Sequence, residues 1–223
     1  MTTIAKTTVA LIAAGQSRRF GAADKLAAPL GDKPLLRWAA EAAFAAPWRE
    51  RIIVWSAATR AVAKAAAAAF DARLVENEAP EAGLGRSIAC AAAAAGDAEA
   101  LAIALGDMPF TPADLYPRLV AALAPPEKTL AAPFNGARRG HPVIFHRSWF
   151  DTLKGFEGDA GAREAIKRAE GRLARVEEPR PGPYFDVDTE RDLSRASAIL
   201  TNQDGLSRPS DSARVSEPGP ADF

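Results

Sequence analysis

The sequence predicts an α/β protein built on a mostly parallel sheet with helices on both faces. Three observations lead there. Short aliphatic runs alternate with longer alanine-rich segments over the first half of the chain. The runs VALIA (9–13) and LAIAL (101–105) are continuously apolar, as expected of strands buried on both faces. Strand–helix alternation of this kind is built from right-handed crossovers, which make the strands parallel.

TTVALIA (7–13) is the first strand, and DKPLLRWAAEAAFAA (32–46) the first helix. Pro34 lies near that helix's first turn, and Leu35, Trp38, Ala42 and Ala45 recur at helical spacing. RIIVWS (51–56) is a second strand, TRAVAKAAAAAF (59–70) a second helix, and ARLVEN (72–77) a weaker strand. GRSIACAAAAAG (85–96) is helical with Ser87 in its opening turn, and LAIAL (101–105) is another fully apolar strand. TPADLYPRLVAAL (111–123) opens with Thr111 as N-cap and Pro112 at the next position.

From about residue 129 the rhythm changes. TLAAPF, RRGHPVIF and LARVEE read as strands on shorter connections, and KGFEGDAGAREAIKRAEG (154–171) as a glycine-rich turn followed by a helix. Residues 1–200 are expected to form one domain. Residues 201–223, rich in Ser, Pro, Asp and Gly, are expected to be a disordered tail.

Composition narrows the function classes. Apolar residues are 48% and charged residues 25% of the 223, with 28 basic and 28 acidic side chains. A zero net charge gives no bulk attraction for nucleic acid or an anionic membrane, so an anion site must be local. The single cysteine, Cys90, excludes an internal disulfide and reads as a small buried side chain in a helix. The apolar run at the N-terminus is too short to span a membrane and leads straight into Gly15, so a cytoplasmic protein is expected.

The chemistry-bearing stretch is Gly15-Gln-Ser-Arg-Arg-Phe-Gly21 and the lysine beyond it. A Walker loop needs Lys-Ser/Thr after its last glycine, where Ala22-Ala23 stand. The dinucleotide fingerprint G-x-G-x-x-G is absent here, and it fails again at Gly83-Leu-Gly85 because Ile88 occupies the third glycine's place. The physics of an anion cradle survives both failures. Glycine admits close backbone approach, and Arg18, Arg19 and Lys25 add full charges. A solvated turn remains the alternative from this loop alone.

Two acidic strand ends add to it. LAIAL runs into Gly106-Asp107-Met108-Pro109, at the carboxyl edge where parallel sheets bind ligands. An aspartate there is either a turn residue or a Mg²⁺ ligand, since Mg²⁺ takes one or two carboxylates plus substrate phosphates. Tyr184-Phe-Asp186-Val-Asp188 reads as an alternating strand with both aspartates on one side, and Asp188 could instead cap the helix TERDLSRASAIL. A cationic glycine loop and two acidic strand ends are what a nucleotide with Mg²⁺ needs.

At this point the chain resembles the MobA-like nucleotidyltransferases, and within them the molybdenum cofactor cytidylyltransferase (MocA) branch. LIAAGQSRRFGAADKLAAPLGDKPLL is similar to the family's signature loop, and GLGRSIA, LGDMPF, RRGHPVIF, GDAGAR and DVDTERDL follow in family order. The matching segments run from Leu11 to about Leu193. Glu190 departs from the proline often found after the threonine.

The resemblance implies a Rossmann-like three-layer nucleotidyltransferase fold and Mg²⁺-dependent transfer of a nucleoside monophosphate. Ala13, Ala14 and Gly15 would lie against base and ribose, with Ser17 in the same loop. Arg18 and Lys25 would hold the triphosphate, and Asp107 and Asp188 the Mg²⁺, with Asp186 the alternative second ligand. Gly83, Gly85 and Ser87 would approach the nucleotide. Arg139, Gly140 and His141 would contribute to acceptor binding, His141 first as a structural residue. Within the resemblance an alanine at position 14 goes with CTP and a glycine with GTP, because one methyl group reshapes the base pocket. The acceptor would be molybdenum-loaded molybdopterin, with a molybdenum hydroxylase as the partner receiving the product. The competing readings are GTP or another phosphorylated acceptor such as a sugar phosphate, a non-catalytic pterin carrier, and a dinucleotide-dependent oxidoreductase.

Overall fold

The computed structural model describes residues 2–17, 20, 24–158 and 166–207, the last five of these as backbone only. Its centre is β1 (Thr7–Ala13), every residue of which is buried. β1 pairs in parallel with β4 (Glu50–Trp55) on one side and β6 (Ala100–Leu105) on the other. β5 (Arg73–Glu76) extends the parallel set beyond β4. Beyond β6 lie β9 (Val143–His146), β7 (Leu130–Asn135) and β10 (Leu173–Glu177). β9 is antiparallel to both its neighbours, while β10 and β7 are parallel. The two-residue β8 (Arg138–Arg139) turns back on β7, and a small separate hairpin joins β2 (Pro29–Leu30) to β3 (Lys33–Pro34).

The period-2 alternation of a strand sorts β1 into two apolar faces. Val9, Leu11 and Ala13 pack against α1 (Leu35–Phe44), α2 (Arg60–Phe70) and α4 (Leu115–Ala121), with Ala196 of α6 (Glu190–Ser207) in the same cluster. Ala10, Ile12 and Ala14 face α3 (Leu84–Ala94) and α5 (Phe150–Lys154). This is the expected three-layer α/β arrangement, with β1 as the strand from which the order runs outward both ways: β1-β4-β5 and β1-β6-β9. Its crevice therefore lies at the carboxyl ends of β1 and β6.

Several elements differ from expectation for identifiable reasons. α1 begins at Leu35, because Pro34 is spent in β3 and stands as the N-cap with extended backbone. Its buried stripe is Leu36, Ala39, Ala40 and Ala43, whereas Trp38 and Ala42 are half-buried and Ala45 is exposed. α4 begins at Leu115, so Thr111 is no N-cap; its hydroxyl donates to the Met108 carbonyl instead. RRGHPVIF is two strands, β8 and β9, broken at Gly140–Pro142. Tyr184–Asp188 is no strand: a 3₁₀ turn over Gly182–Tyr184 leads into irregular chain. α6 continues to Ser207, past the expected start of the tail at 201, and residues 208–223 lie outside the described residues. The GDAGAR block lies outside them after Gly158.

No described helix is long and apolar enough to cross a membrane.

Candidate active site

β1 ends at Ala13, and the chain turns outward immediately. Ala14 is 1% exposed while Gly15 and Gln16 are open to solvent. Ser17 takes a left-handed backbone (φ +49°) and its carbonyl accepts from Phe20 N at 2.8 Å. Its hydroxyl oxygen accepts from the backbone N of Lys25 at 3.3 Å, closing the loop on itself. Asp24 caps the 3₁₀ turn Lys25–Ala27 by accepting from Leu26 N at 3.0 Å. That cap aims the Lys25 side chain inward, where the residue is only 8% exposed. Arg18, expected at the triphosphate, lies outside the described residues, as does Arg19.

β6 delivers the first carboxylate. Gly106 N donates to the Ile12 carbonyl at 2.9 Å, and a Cβ on Gly106 would stand 2.8 Å from Leu36 Cδ1 and 3.0 Å from Ile12 O. Only glycine lets the end of β6 lie this close to β1, and so sets Asp107 beside the loop. The second carboxylate arrives from the far end of the chain. Val187 N donates to the Asp107 carbonyl at 3.0 Å, which fixes Asp188 on the same side.

The two carboxylates meet at Lys25. Its Nζ donates to Asp107 Oδ2 at 2.7 Å and to Asp188 Oδ1 at 2.9 Å. Burial works to lower the Lys25 pKa, but the two carboxylates outweigh it and the net direction is upward, so the ammonium stays charged. Asp186 makes no hydrogen bond to Lys25; its pKa is raised, by lost solvation first and then by the charges of Asp188 and Asp107. Asp188 is therefore the partner of Asp107 in this centre. It is released for that role because Thr189 caps α6: Thr189 Oγ1 accepts from Asp192 N at 3.2 Å, while Asp192 Oδ2 accepts from Thr189 N at 3.0 Å.

Asp107 and Asp188 also fit a hard divalent cation. Asp107 Oδ1 is buried without a hydrogen-bond partner, an acceptor left for an incoming group. Among the described residues no set of three or more His, Cys, Asp or Glu is arranged to hold a metal. Two carboxylates with the remaining positions filled by phosphate oxygens and water is what Mg²⁺ accepts.

These groups open onto a cleft of about 450 Å³ lined by Ala14, Gly15, Ser17, Lys25, Asp107 and Asp188 on one side. Gly83, Leu84 and Ser87 from the start of α3 line the other, with Pro80 and Glu81 from the preceding turn. Gly85 is not in the lining. A Cβ there would stand 2.5 Å from the Gly158 carbonyl, to which its own N donates at 2.9 Å, so this glycine lets the start of α3 approach the turn at Glu157–Gly158. Ser87 accepts from Asn77 Nδ2 at 3.0 Å, leaving its own proton free to point at a ligand. Asn77, 1% exposed at the end of β5, went unnoticed in the sequence because a buried Asn in a weak strand has no local signature.

Arg139, Gly140 and His141 do not line the cleft but flank it. A Cβ on Gly140 would stand 2.4 Å from the Pro183 carbonyl, and His141 N donates to that carbonyl at 3.0 Å. The residue is partly exposed, yet its Nδ1 is buried without a partner. Burial, reinforced by Arg139 and opposed by Asp107, pushes the His141 pKa down to about 4. It is neutral at pH 7. Behind this segment Glu178, 1% exposed, accepts from Arg180 Nε and from Arg118 Nη1, each at 2.6 Å. Tyr184 Oη donates to the Glu178 carbonyl at 2.9 Å, anchoring the stretch that leads to Asp188.

A lysine between two carboxylates, in a cleft at the switch point of an α/β sheet, is an arrangement suited to a phosphate-bearing ligand with a divalent cation. The chain belongs to the MobA-like NTP transferase domain family, whose model matches residues 9–175. It is 30% identical over 193 residues to a molybdenum cofactor guanylyltransferase of Cereibacter sphaeroides, covering 85% of this chain and 95% of that one. It is also 28% identical over 191 residues to a nicotine blue oxidoreductase of Paenarthrobacter nicotinovorans, covering 83% and 93%. Among solved structures, the Rv0371c homolog from Mycobacterium sp. strain JC1 superposes with a TM-score of 0.74 at 26% identity, over 89% of this chain and 98% of that one. The Mycobacterium tuberculosis Rv0371c complex with manganese shares the fold, with a TM-score of 0.70 at 24% identity over 86% and 98%.

Proposed function

We propose that this nucleotidyltransferase transfers CMP from CTP to the terminal phosphate of molybdenum-loaded molybdopterin, giving the cytosine dinucleotide and pyrophosphate. The observation that carries the transfer reading is the Asp107–Lys25–Asp188 centre. A phosphate oxygen of the acceptor attacks the α-phosphorus of the nucleotide, and the bond from that phosphorus to the bridging oxygen of pyrophosphate breaks in line. The attacking oxygen is already anionic, so no protein nucleophile is needed. Bound Mg²⁺ would neutralise charge on the reacting phosphates.

The chain's own part is positioning and charge. Asp107 and Asp188 hold the metal, and Lys25 together with Arg18 holds the triphosphate. Ala14 to Ser17 carry base and ribose, with Gly83 and Ser87 on the opposite wall. Ala13, expected beside them, faces the core against α1 and is absent from the cleft lining. Preset charges of this kind lower the barrier because they need no rearrangement as the transition state forms. His141 is neutral near pH 7 and supports the acceptor side without moving a proton. No described residue carries the transfer of product to a molybdenum hydroxylase.

Ala14 supports CTP over GTP. It is 1% exposed at the cleft wall, so its methyl group takes volume a larger base would need. The guanylyltransferase names of the curated relatives point the other way, and a methyl group decides only about 1–3 kcal/mol. The oxidoreductase reading has neither a dinucleotide glycine fingerprint nor a use for a paired-carboxylate centre.

The test is pyrophosphate release from Mg²⁺, molybdenum-loaded molybdopterin and CTP, GTP or ATP in parallel. Release with CTP alone is expected. Preference for GTP would keep the reaction and remove the assignment to Ala14. No release with any nucleotide from folded protein would overturn the reading.

A further inference from the structure

We propose that Lys25 is the resident counter-ion of the Asp107–Asp188 pair, and that a divalent metal enters this centre only as a nucleotide draws the ammonium out. The inference rests on the nucleotidyl-transfer reading and adds an order of binding to it.

The ammonium stands where a metal would. Its Nζ is 2.7 Å from Asp107 Oδ2 and 2.9 Å from Asp188 Oδ1, and its side chain is 10% exposed. A Mg²⁺ ion bound to the same two oxygens would lie about 2.1 Å from each. The two cations cannot share that space, and at such separations a divalent and a monovalent charge repel strongly. Metal alone also meets one negative charge fewer, because Lys25 already offsets one carboxylate. The centre is thus protected from free metal.

A triphosphate changes this balance. The lysine stem is long and rotatable, so its ammonium can leave the carboxylates for phosphate oxygens without backbone movement. The backbone around it is pinned independently, by Lys25 N on Ser17 Oγ and by the Asp24 cap on Leu26 N. What moves is the head group alone. The vacated oxygens, together with the unpartnered Oδ1 of Asp107, then receive the metal that arrives on the phosphates.

The experiment measures Mn²⁺ affinity on the full-length protein by electron paramagnetic resonance, first without nucleotide. Lys25→Met is expected to bind Mn²⁺ at least tenfold more tightly than wild type, because the resident cation is gone. Lys25→Arg keeps a cation and should remain as weak as wild type. Addition of a non-hydrolysable CTP or GTP analogue should tighten Mn²⁺ binding by wild type at least tenfold, beyond what the analogue binds alone, and should have a smaller effect on Lys25→Met. Equal nucleotide-free affinity in wild type and Lys25→Met, with both folded by circular dichroism, would overturn the proposal. Should Lys25→Met not fold, absence of the nucleotide-dependent tightening in wild type would overturn it equally. Pyrophosphate release is scored separately: if no acceptor is used while the Mn²⁺ affinities shift as stated, the transfer reading fails and the cation exchange stands.

Discussion

Val187 donates its backbone N–H to the carbonyl oxygen of Asp107 at 3.0 Å. This bond ties the end of β6 to the segment before α6, and it sets the carboxylates of Asp107 and Asp188 on a common cation. Both are fixed by backbone, so the pair is preorganised before any ligand arrives.

Asp107→Ala and Asp188→Asn should each reduce pyrophosphate release by about 10²–10³-fold, with circular dichroism unchanged. Asp186→Asn should cost less than tenfold, because Asp186 makes no bond to Lys25. Steady-state rates of the three variants at saturating Mg²⁺ check this ordering, and an Asp186 effect as large as that of Asp188 would reverse the assignment.

Ala14→Gly should move the ratio of kcat/KM for CTP over GTP towards GTP by about 10–200-fold. The variant removes only a methyl group from a residue that is 1% exposed. Competition between the two nucleotides in one assay reads the ratio directly. An unchanged ratio would place base selection elsewhere on the cleft wall.

His141 should make the protein less stable as pH falls. Its folded-state pKa of about 4 lies below the usual 6.5, so the unfolded chain binds more protons in that interval. Stability from this group is fully present above pH 6.5 and is lost as pH falls towards 4, by on the order of 3 kcal/mol. Urea denaturation at pH 7 and pH 5 should show a larger loss for wild type than for His141→Asn. Equal losses would mean that the imidazole is not held neutral.

Glu178→Gln should cost about 1–3 kcal/mol near pH 7, discounted because Arg118 and Arg180 remain partly exposed. Bonds from Arg180 and then Arg118 hold the Glu178 pKa down to about 2, against 4.5 in the unfolded chain. Its contribution is present above pH 4.5 and is lost as pH falls through 2. The difference in stability between wild type and variant should therefore narrow below pH 4.5, which acid titration of both by circular dichroism measures.

The sequence by itself determined the sheet and where its ligand edge lies. Apolar runs such as VALIA and LAIAL can be satisfied only by burial on both faces, and alternation with helices makes β1, β4, β5 and β6 parallel, whereas the antiparallel β9 beside β6 had no such signal. Asp107 was legible from the same burial, because a charged residue straight after a buried strand must emerge at the sheet's edge, and Lys25 was legible as the cation closing the glycine loop after β1. Local chemistry also located Ser87 in the first turn of α3.

Tertiary structure alone decided the rest. Whether Asp186 or Asp188 joins the site depends on the Val187–Asp107 hydrogen bond and on Thr189 taking over the cap of α6, and no spacing in the sequence encodes either. Gly85 reads like a ligand glycine, but the Gly158 carbonyl fills the space beside it. Asn77 matters only because β5 brings it to Ser87. Each outcome turns on a contact between segments far apart along the chain. Periodicity reports which way a side chain faces; the fold decides what it meets there.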